Sequence, residues 1–160
     1  MGNTNEAAAT GVVIQPDQGE KLMFRAPPVP DLITNIVIPA IGATRFAMGT
    51  QELPVDYLIP LHKHEMEDEI LFFHKGTGEL TVGGVTYPFV PGTTAYIPHG
   101  TWHTIHNTGD LPGQMLWFVA GPGLEGFFRE ASVPPGVPWS PLPIQVINEI
   151  GEKYGLIFAS

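Results

Sequence analysis

The chain has 160 residues and no cysteine, and its seven lysines and arginines are outnumbered by sixteen aspartates and glutamates, for a net charge of −9. The absence of cysteine excludes disulfides and thiolate metal ligands. The scarcity of positive charge argues against nucleic acid and anionic membrane surfaces as partners, because both are bound through basic patches. It also argues against a sugar-phosphate substrate. The length predicts one domain with a substantial core.

The N-terminal segment predicts neither a signal peptide nor a lipid anchor. Residues 1–10 have no basic start and no apolar centre, so we expect a flexible tail there. No apolar run approaches the length of about 20 residues that a membrane-spanning helix needs. The expected location is therefore the cytoplasm.

Short apolar segments, separated by glycine and proline turns, follow one another along the chain. They predict strands near 32–38, 43–50, 55–62, 69–74, 78–82, 85–90, 94–98, 102–107 and 113–120. The Gly83-Gly84 pair between two alternating segments is typical of a two-residue hairpin. Because no helical periodicity interrupts this series, residues 11–122 predict an all-β barrel or jelly roll.

The C-terminal part, residues 123–160, predicts an extension with one or two short helices packed on the barrel. Residues 123–130 contain two phenylalanines that a short helix could press onto the strands. In the segment Pro143–Tyr154, isoleucines recur every three residues, which is helical spacing. Ser140 is available as the N-terminal cap of this second helix and Gly155 as its end.

Three histidines and one glutamate form two spaced motifs within the predicted strands. Alternate side chains of a strand share a face, so His62 and His64 can point into one cavity. Glu69 follows after a turn, at the start of an apolar strand, and His103 arrives from a separate hairpin. The two motifs also include residues that are common in turns. These residues are Gly76, Gly92, Pro98, Gly100 and Asn107.

This double motif resembles that of the cupin superfamily at every fixed position. The resemblance implies a double-stranded β-helix, or jelly-roll barrel. It also implies a mononuclear metal site with His62, His64, Glu69 and His103 as ligands. Two phrases of the C-terminal part, 126–130 and 153–158, are similar to the tails of small cupins resembling quercetin dioxygenases. The alternative for the histidines is a surface position beside the acidic run 65–69.

Other polar residues near the motifs are expected to lie outside the metal site. Asp68 also stands at a tolerated spacing from His64, but Glu69 leaves the correct distance to Gly76, so the remaining acids of the run 65–69 are assigned to a solvated loop. Strand alternation turns His106 away from His103. His74 and His99 match no ligand position of the motif.

Aromatic residues of the predicted barrel are candidates for the wall of a substrate pocket, and ordinary core packing is the alternative for each. Arg45 could anchor a carboxylate or enolate if it faces inward, and an outward salt bridge is equally compatible with the sequence. The complete candidate set is Arg45, Phe46, Tyr57, Phe73, Tyr96, Trp102 and Trp117.

Three imidazoles and one carboxylate suit a divalent transition metal with open positions, namely Fe, Mn, Ni, Co, Cu or Zn. The family resemblance implies a dioxygenase acting with dioxygen on an aromatic or enolisable small molecule, with Glu69 as both ligand and catalytic base. The alternatives are a metal-dependent cyclase, isomerase or lyase, and a non-catalytic binding protein. The apolar segment 32–38 further suggests a homodimer formed along an exposed strand edge.

Overall fold

Two antiparallel β-sheets face each other in the computed structural model, which describes residues 11–27, 30–43 and 45–159. The larger sheet has the strand order β11-β1-β2-β3-β10-β5-β8, and the smaller one has the order β12-β4-β9-β6-β7. The strands are β1 Glu20–Phe24, β2 Asp31–Val37, β3 Ala47–Leu53, β4 Leu58–His64, β5 Glu69–Lys75, β6 Gly78–Val82, β7 Val85–Phe89, β8 Thr94–Ile97, β9 His103–His106, β10 Gly113–Val119, β11 Ser132–Val133 and β12 Leu156–Phe158. The helices are α1 Leu124–Glu130 and α2 Ile144–Lys153, with a 3₁₀ turn at Pro39–Ile41.

The predicted all-β jelly roll is confirmed, and alternation along its strands builds the core. In β5, Leu71 and Phe73 point inward and are fully buried, whereas Ile70 and Phe72 point outward and are partly exposed. The ring of Phe73 stacks on Phe89 of the opposite sheet with a centroid distance of 4.0 Å. The inner faces of both sheets therefore meet in one apolar layer.

Three strands lie outside the predicted set, and two others differ in their bounds. The first strand, β1, pairs with β2 along its whole length, the two-residue strand β11 pairs with β1, and the three-residue strand β12 pairs with β4. None of the three stands out in the sequence, because β11 and β12 are too short to show a period and β1 mixes charged with apolar residues. The strands predicted at 43–50 and 55–62 are observed at Ala47–Leu53 and Leu58–His64. The predicted tail, residues 1–10, lies outside the described residues.

Strand β2 is not a sheet edge, which corrects the expected mode of dimerisation. It is hydrogen-bonded to β1 on one side and to β3 on the other. The edges of the larger sheet are β11 and β8. Because β2 has a neighbouring strand on each side, it is not available for pairing edge to edge with a second chain.

The C-terminal part closes one end of the space between the sheets. In α1, Phe127 and Phe128 are buried and meet the ring of Phe24 edge-on, at 5.5 and 5.7 Å. The second helix begins after Pro143 with no side-chain cap, so Ser140 does not cap it. Gly155 follows the helix with φ of +70°, the left-handed conformation common at helix ends.

In the described part of the chain, no helix has both the length and the apolar character needed to cross a membrane.

Candidate metal centre

Three buried histidines converge between the two sheets. His62 and His64 alternate on β4 and share its inner face, and His103 at the start of β9 is paired with His62 across the strands. One nitrogen from each of the three rings lies within 4.8 Å of the others. The relative exposures of 7%, 3% and 0% show that the cluster is shielded from bulk water. Three buried imidazoles at this spacing can hold a metal ion.

Glu69 reaches the same point from the facing sheet. It is the first residue of β5 and is 4% exposed. Its Oε2 atom lies 3.1 Å from Nε2 of His103 and 3.5 Å from Nε2 of His64. None of these three buried atoms makes a hydrogen bond of acceptable geometry within the described residues. Buried polar atoms are costly without partners, so this convergence fits a shared cation.

The outer nitrogen of each ring has its own neighbour. Nδ1 of His62 lies 2.7 Å from the Pro60 carbonyl oxygen, and Nδ1 of His103 lies 3.0 Å from that of Thr101. A carbonyl only accepts hydrogen bonds, so both Nδ1 atoms carry a hydrogen, and in the neutral form of each ring the lone pair of Nε2 is left to bind a metal. Partners of this kind orient metal-binding histidines and set their tautomer.

Glu67 supplies the outer neighbour of His64, which corrects its assignment to a solvated loop. Its side chain is buried, and Oε2 lies 3.5 Å from Nδ1 of His64. The glycine at position 123 makes room for this carboxylate, because a Cβ there would lie 2.6 Å from Oε1 of Glu67. The sequence carries no signal for this role, since Glu67 stands among other acids.

The charges of the cluster are strongly coupled. Burial lowers the pKa of His64, but Glu69 and Glu67 outweigh this effect and raise it to about 9. Burial raises the pKa of Glu69, yet the neighbouring His64 and His103 bring it well below its ordinary value. Burial and the other two imidazoles lower the pKa of His62. The buried carboxylate thus depends on a nearby positive charge, which a divalent cation would also provide.

The centre opens into an apolar cavity with a volume of about 80 Å³. The extension after the barrel supplies a large share of the wall, with Leu124, Phe127, Phe128, Ile144, Ile147, Leu156 and Phe158. The two C-terminal helices therefore cover the cavity and shape it as well as packing on the barrel.

Of the seven predicted pocket residues, the structure places Tyr57 and Trp117 on the cavity wall. The other five lie elsewhere, which corrects their assignment. Phe73 points inward but belongs to the core around Phe89. The remaining four have exposed side chains on the outer surface, because they stand outside the strands or on outward-facing positions. These four are Arg45, Phe46, Tyr96 and Trp102.

The three further histidines lie outside the cluster. His106 faces away from His103, and its Nε2 atom lies 2.9 Å from the Asp56 carboxylate. His99 is exposed and lies 2.8 Å from Asp68. His74 is exposed near the end of β5.

A buried carboxylate behind the cavity wall was not predicted from the sequence. Asp31, 1% exposed at the start of β2, accepts hydrogen bonds from the Tyr57 hydroxyl at 3.0 Å and from the Gln51 amide nitrogen. Burial raises the pKa of Asp31 to about 7. Burial and the adjacent Asp31 likewise raise the pKa of Tyr57. An aspartate alone between a proline and a leucine gives no warning of such a group.

Comparison with known proteins agrees with the double motif. Residues 49–119, which contain both parts of the motif, match the family model described as the cupin domain. The chain is also 36% identical over 64 residues to the uncharacterized protein MJ1618 of Methanocaldococcus jannaschii. That alignment covers 40% of this chain, and the chain spans about half of the relative's length, 51%.

Solved structures with the same fold have diverse names. A predicted oxalate decarboxylase from Thermotoga maritima has a TM-score of 0.61 at 21% identity, covering 69% of this chain and 99% of that one. The polyketide cyclase RemF from Streptomyces resistomycificus has a TM-score of 0.60 at 19% identity, covering 69% and 80%. A sugar phosphate isomerase from Silicibacter pomeroyi has a TM-score of 0.57 at 19% identity, covering 70% and 77%. These likenesses establish the fold alone.

Proposed function

We propose that the protein is a metal-dependent cupin enzyme with one divalent transition metal held by His62, His64, Glu69 and His103. The observation that carries this proposal is the meeting of three buried, unpartnered atoms of His64, His103 and Glu69 at 3.1 and 3.5 Å. Three neutral imidazoles and one carboxylate suit Fe, Mn, Ni, Co, Cu or Zn, and the donor set does not distinguish among them.

For the reaction, we propose dioxygen-dependent cleavage of an aromatic or enolisable oxygen-rich small molecule. When bound, the metal supplies Lewis acidity toward an enolate or hydroxyketone oxygen. The support is the resemblance of the C-terminal phrases to quercetin dioxygenase-like cupins, together with a mostly apolar cavity beside the centre. Apolar walls favour a flat aromatic ligand, and they exclude the water that would compete for its oxygen atoms.

Glu69 is the residue proposed to move a proton. Its carboxylate is the only carboxylate among the described residues that line the cavity. A substrate hydroxyl arriving at the centre would meet Oε1 or Oε2 of Glu69, which can accept the proton as the enolate forms. The low pKa caused by His64 and His103 keeps Glu69 ionised and ready to accept. The same ionisation limits its basicity, so proton transfer depends on the substrate hydroxyl being acidified at the centre.

The second candidate is a cyclase, isomerase or lyase that uses the same centre without dioxygen, and the third is a non-catalytic binding protein. The cavity wall offers no lysine or arginine among the described residues. A phosphorylated substrate normally requires such a cation, so sugar phosphates are disfavoured within the second candidate. Four converging metal-ligand side chains favour catalysis over simple binding.

An oxygen-electrode assay tests the reaction class. The metal-loaded protein is screened with flavonols, diketones and catechols, in air and under argon. Dioxygen consumption that matches product formation supports the dioxygenase. Glu69→Gln keeps an oxygen donor but removes the base, so we expect turnover to fall by roughly two to four powers of ten. Glu65→Gln, the same change at an exposed residue of the loop before Glu69, is the matched control. Undiminished turnover of the substrate under argon would contradict the dioxygenase.

For assembly, we propose a homodimer through the outer face of the larger sheet. Outward-facing apolar residues of β5 and its neighbours are exposed there, including Ile70, Phe72 and Tyr96. Phe46 packs on Phe118 at the same face, with a centroid distance of 5.2 Å. A contiguous exposed apolar surface of this kind is typical of an interaction site.

A further inference from the structure

The polar group Asp31, Gln51 and Tyr57 forms a second polar site inside the cavity, separate from the metal centre. Gln51 and Tyr57 line the wall, while Asp31 is buried behind them and holds both. Gln51 is 5% exposed and Tyr57 is 3% exposed, so water reaches them only through the cavity. Among the described residues, the remaining lining away from the metal centre is apolar except for the indole N–H of Trp117, which makes no hydrogen bond. Two polar groups on an apolar wall are the usual way in which a pocket orients its ligand.

The hydrogen bonds of this group determine which ligand atoms it can meet. An ionised Asp31 only accepts, so the Tyr57 hydroxyl and the Gln51 amide must both donate to it. Their lone pairs then remain to accept a hydrogen bond from a ligand. If Asp31 carries a proton, it can donate to Tyr57, whose own hydrogen becomes free for the ligand. A hydroxyl both donates and accepts, so it satisfies either state.

The strand register separates this site from the metal centre. On the larger sheet, Gln51 of β3 pairs with Met115 of β10, and Met115 pairs with Phe73 of β5. Phe73 lies four residues after Glu69 on β5. At about 3.3 Å per residue and about 4.8 Å between strands, the Cα atoms of Glu69 and Gln51 are roughly 16 Å apart. Leu71 and Trp117 occupy the intervening row. A ligand that touches both polar sites must therefore pass the row of Leu71 and Trp117, which is apolar except for the Trp117 indole N–H.

We propose that the Gln51–Tyr57 wall, supported by Asp31, binds a hydroxyl group at the far end of a small aromatic ligand whose other end faces the metal centre. The inference rests on the proposed function for that second contact, and it names the substrate class as a hydroxylated aromatic. No lysine or arginine lines the described cavity, so a carboxylate or phosphate at the far end would have no countercharge.

The test compares two probes that differ only by a hydroxyl, 4-methylphenol and toluene, on metal-stripped protein by calorimetric or NMR titration. We expect 4-methylphenol to bind about five- to tenfold more tightly, as one buried hydrogen bond would give. Tyr57→Phe and Gln51→Leu should each reduce that ratio to about twofold or less. Tyr96→Phe is the matched control, because its hydroxyl also donates to an aspartate, Asp68, but on the outer surface.

Equal binding of the two probes to the wild-type protein would overturn the proposal, as would a preference that survives in both folded variants. Should both variants fail to fold, the wild-type ratio decides alone. A second arm uses zinc-loaded protein with benzohydroxamic acid and its 4-hydroxy derivative. Failure to bind zinc would overturn the proposed function but leave the first arm valid. Zinc binding without any hydroxyl preference in the first arm would overturn only the present inference.

Discussion

Replacing Glu67 by glutamine tests how the protein orients a metal-binding histidine. The change keeps the size of the side chain and an oxygen acceptor, but it removes a buried negative charge 3.5 Å from Nδ1 of His64. At this distance Nδ1 of His64 makes no hydrogen bond of acceptable geometry, so the carboxylate acts on the ring through its charge. Loss of an outer partner of a metal-binding histidine lowers metal affinity by roughly 10–100-fold, and this long contact belongs at the low end of that range, about tenfold.

The assay is competition between metal-free protein and a chromogenic chelator for Zn²⁺ at neutral pH. We expect the apparent Kd of Glu67→Gln to rise about tenfold. Glu65→Gln makes the same charge change on an exposed residue of the same loop, and it should stay within about twofold of wild type because exposed charges are screened. Equal affinities of the two variants would refute the role assigned to Glu67.

Three further predictions concern stability and assembly. The folded state keeps a proton on Asp31 between its ordinary pKa of 3.8 and about 7, where the unfolded chain has lost it. The free energy of unfolding therefore falls as pH rises through this window, by up to about 1.4 kcal/mol per pH unit. Urea titrations across this pH range should show the fall for the wild type and not for Asp31→Asn. Parallel curves of unfolding free energy against pH for the two proteins would argue against the buried proton. Phe127→Ala should cost about 3–5 kcal/mol in the same assay, since the ring is fully buried, and a loss below about 1 kcal/mol would contradict its place in the core. Sedimentation at micromolar concentration should give twice the 17.3 kDa chain mass for the wild type and one chain mass for Phe72→Glu. A monomeric wild type would contradict the homodimer.

The sequence was sufficient for the fold class and for placing His62 and His64 on one strand face, while the meeting of His103 with them was implied by the resemblance of the double motif to the cupin superfamily. His62 and His64 have the spacing of one strand face, and glycine pairs such as Gly83-Gly84, with φ of +57° and +84°, mark the hairpins. These are local signals, each readable within a few residues. The helix at Ile144–Lys153 was also predictable, since its isoleucines recur at helical spacing.

The remaining features depend on contacts between distant segments. Asp31 meets Tyr57 only because β2 and the start of β4 converge at the cavity, 26 residues apart. Glu67 is buried because α1 begins beside it with a glycine. The sequence pattern does not separate aromatic residues of the cavity wall from those of the core. Phe73 and Trp117 both stand at inward-facing positions of their strands, and they differ only in which row of paired residues they belong to. Long-range packing of this kind leaves no periodic trace in the sequence.

The most direct test of the metal centre is elemental analysis of the purified, metal-loaded protein and of two matched histidine variants. His103→Ala removes a buried ring that faces Glu69, whereas His106→Ala removes a ring from the same strand that faces the surface. We expect about one equivalent of metal in the wild type and in His106→Ala, and loss of most of it in a folded His103→Ala. Equal metal content in the two variants would contradict the centre.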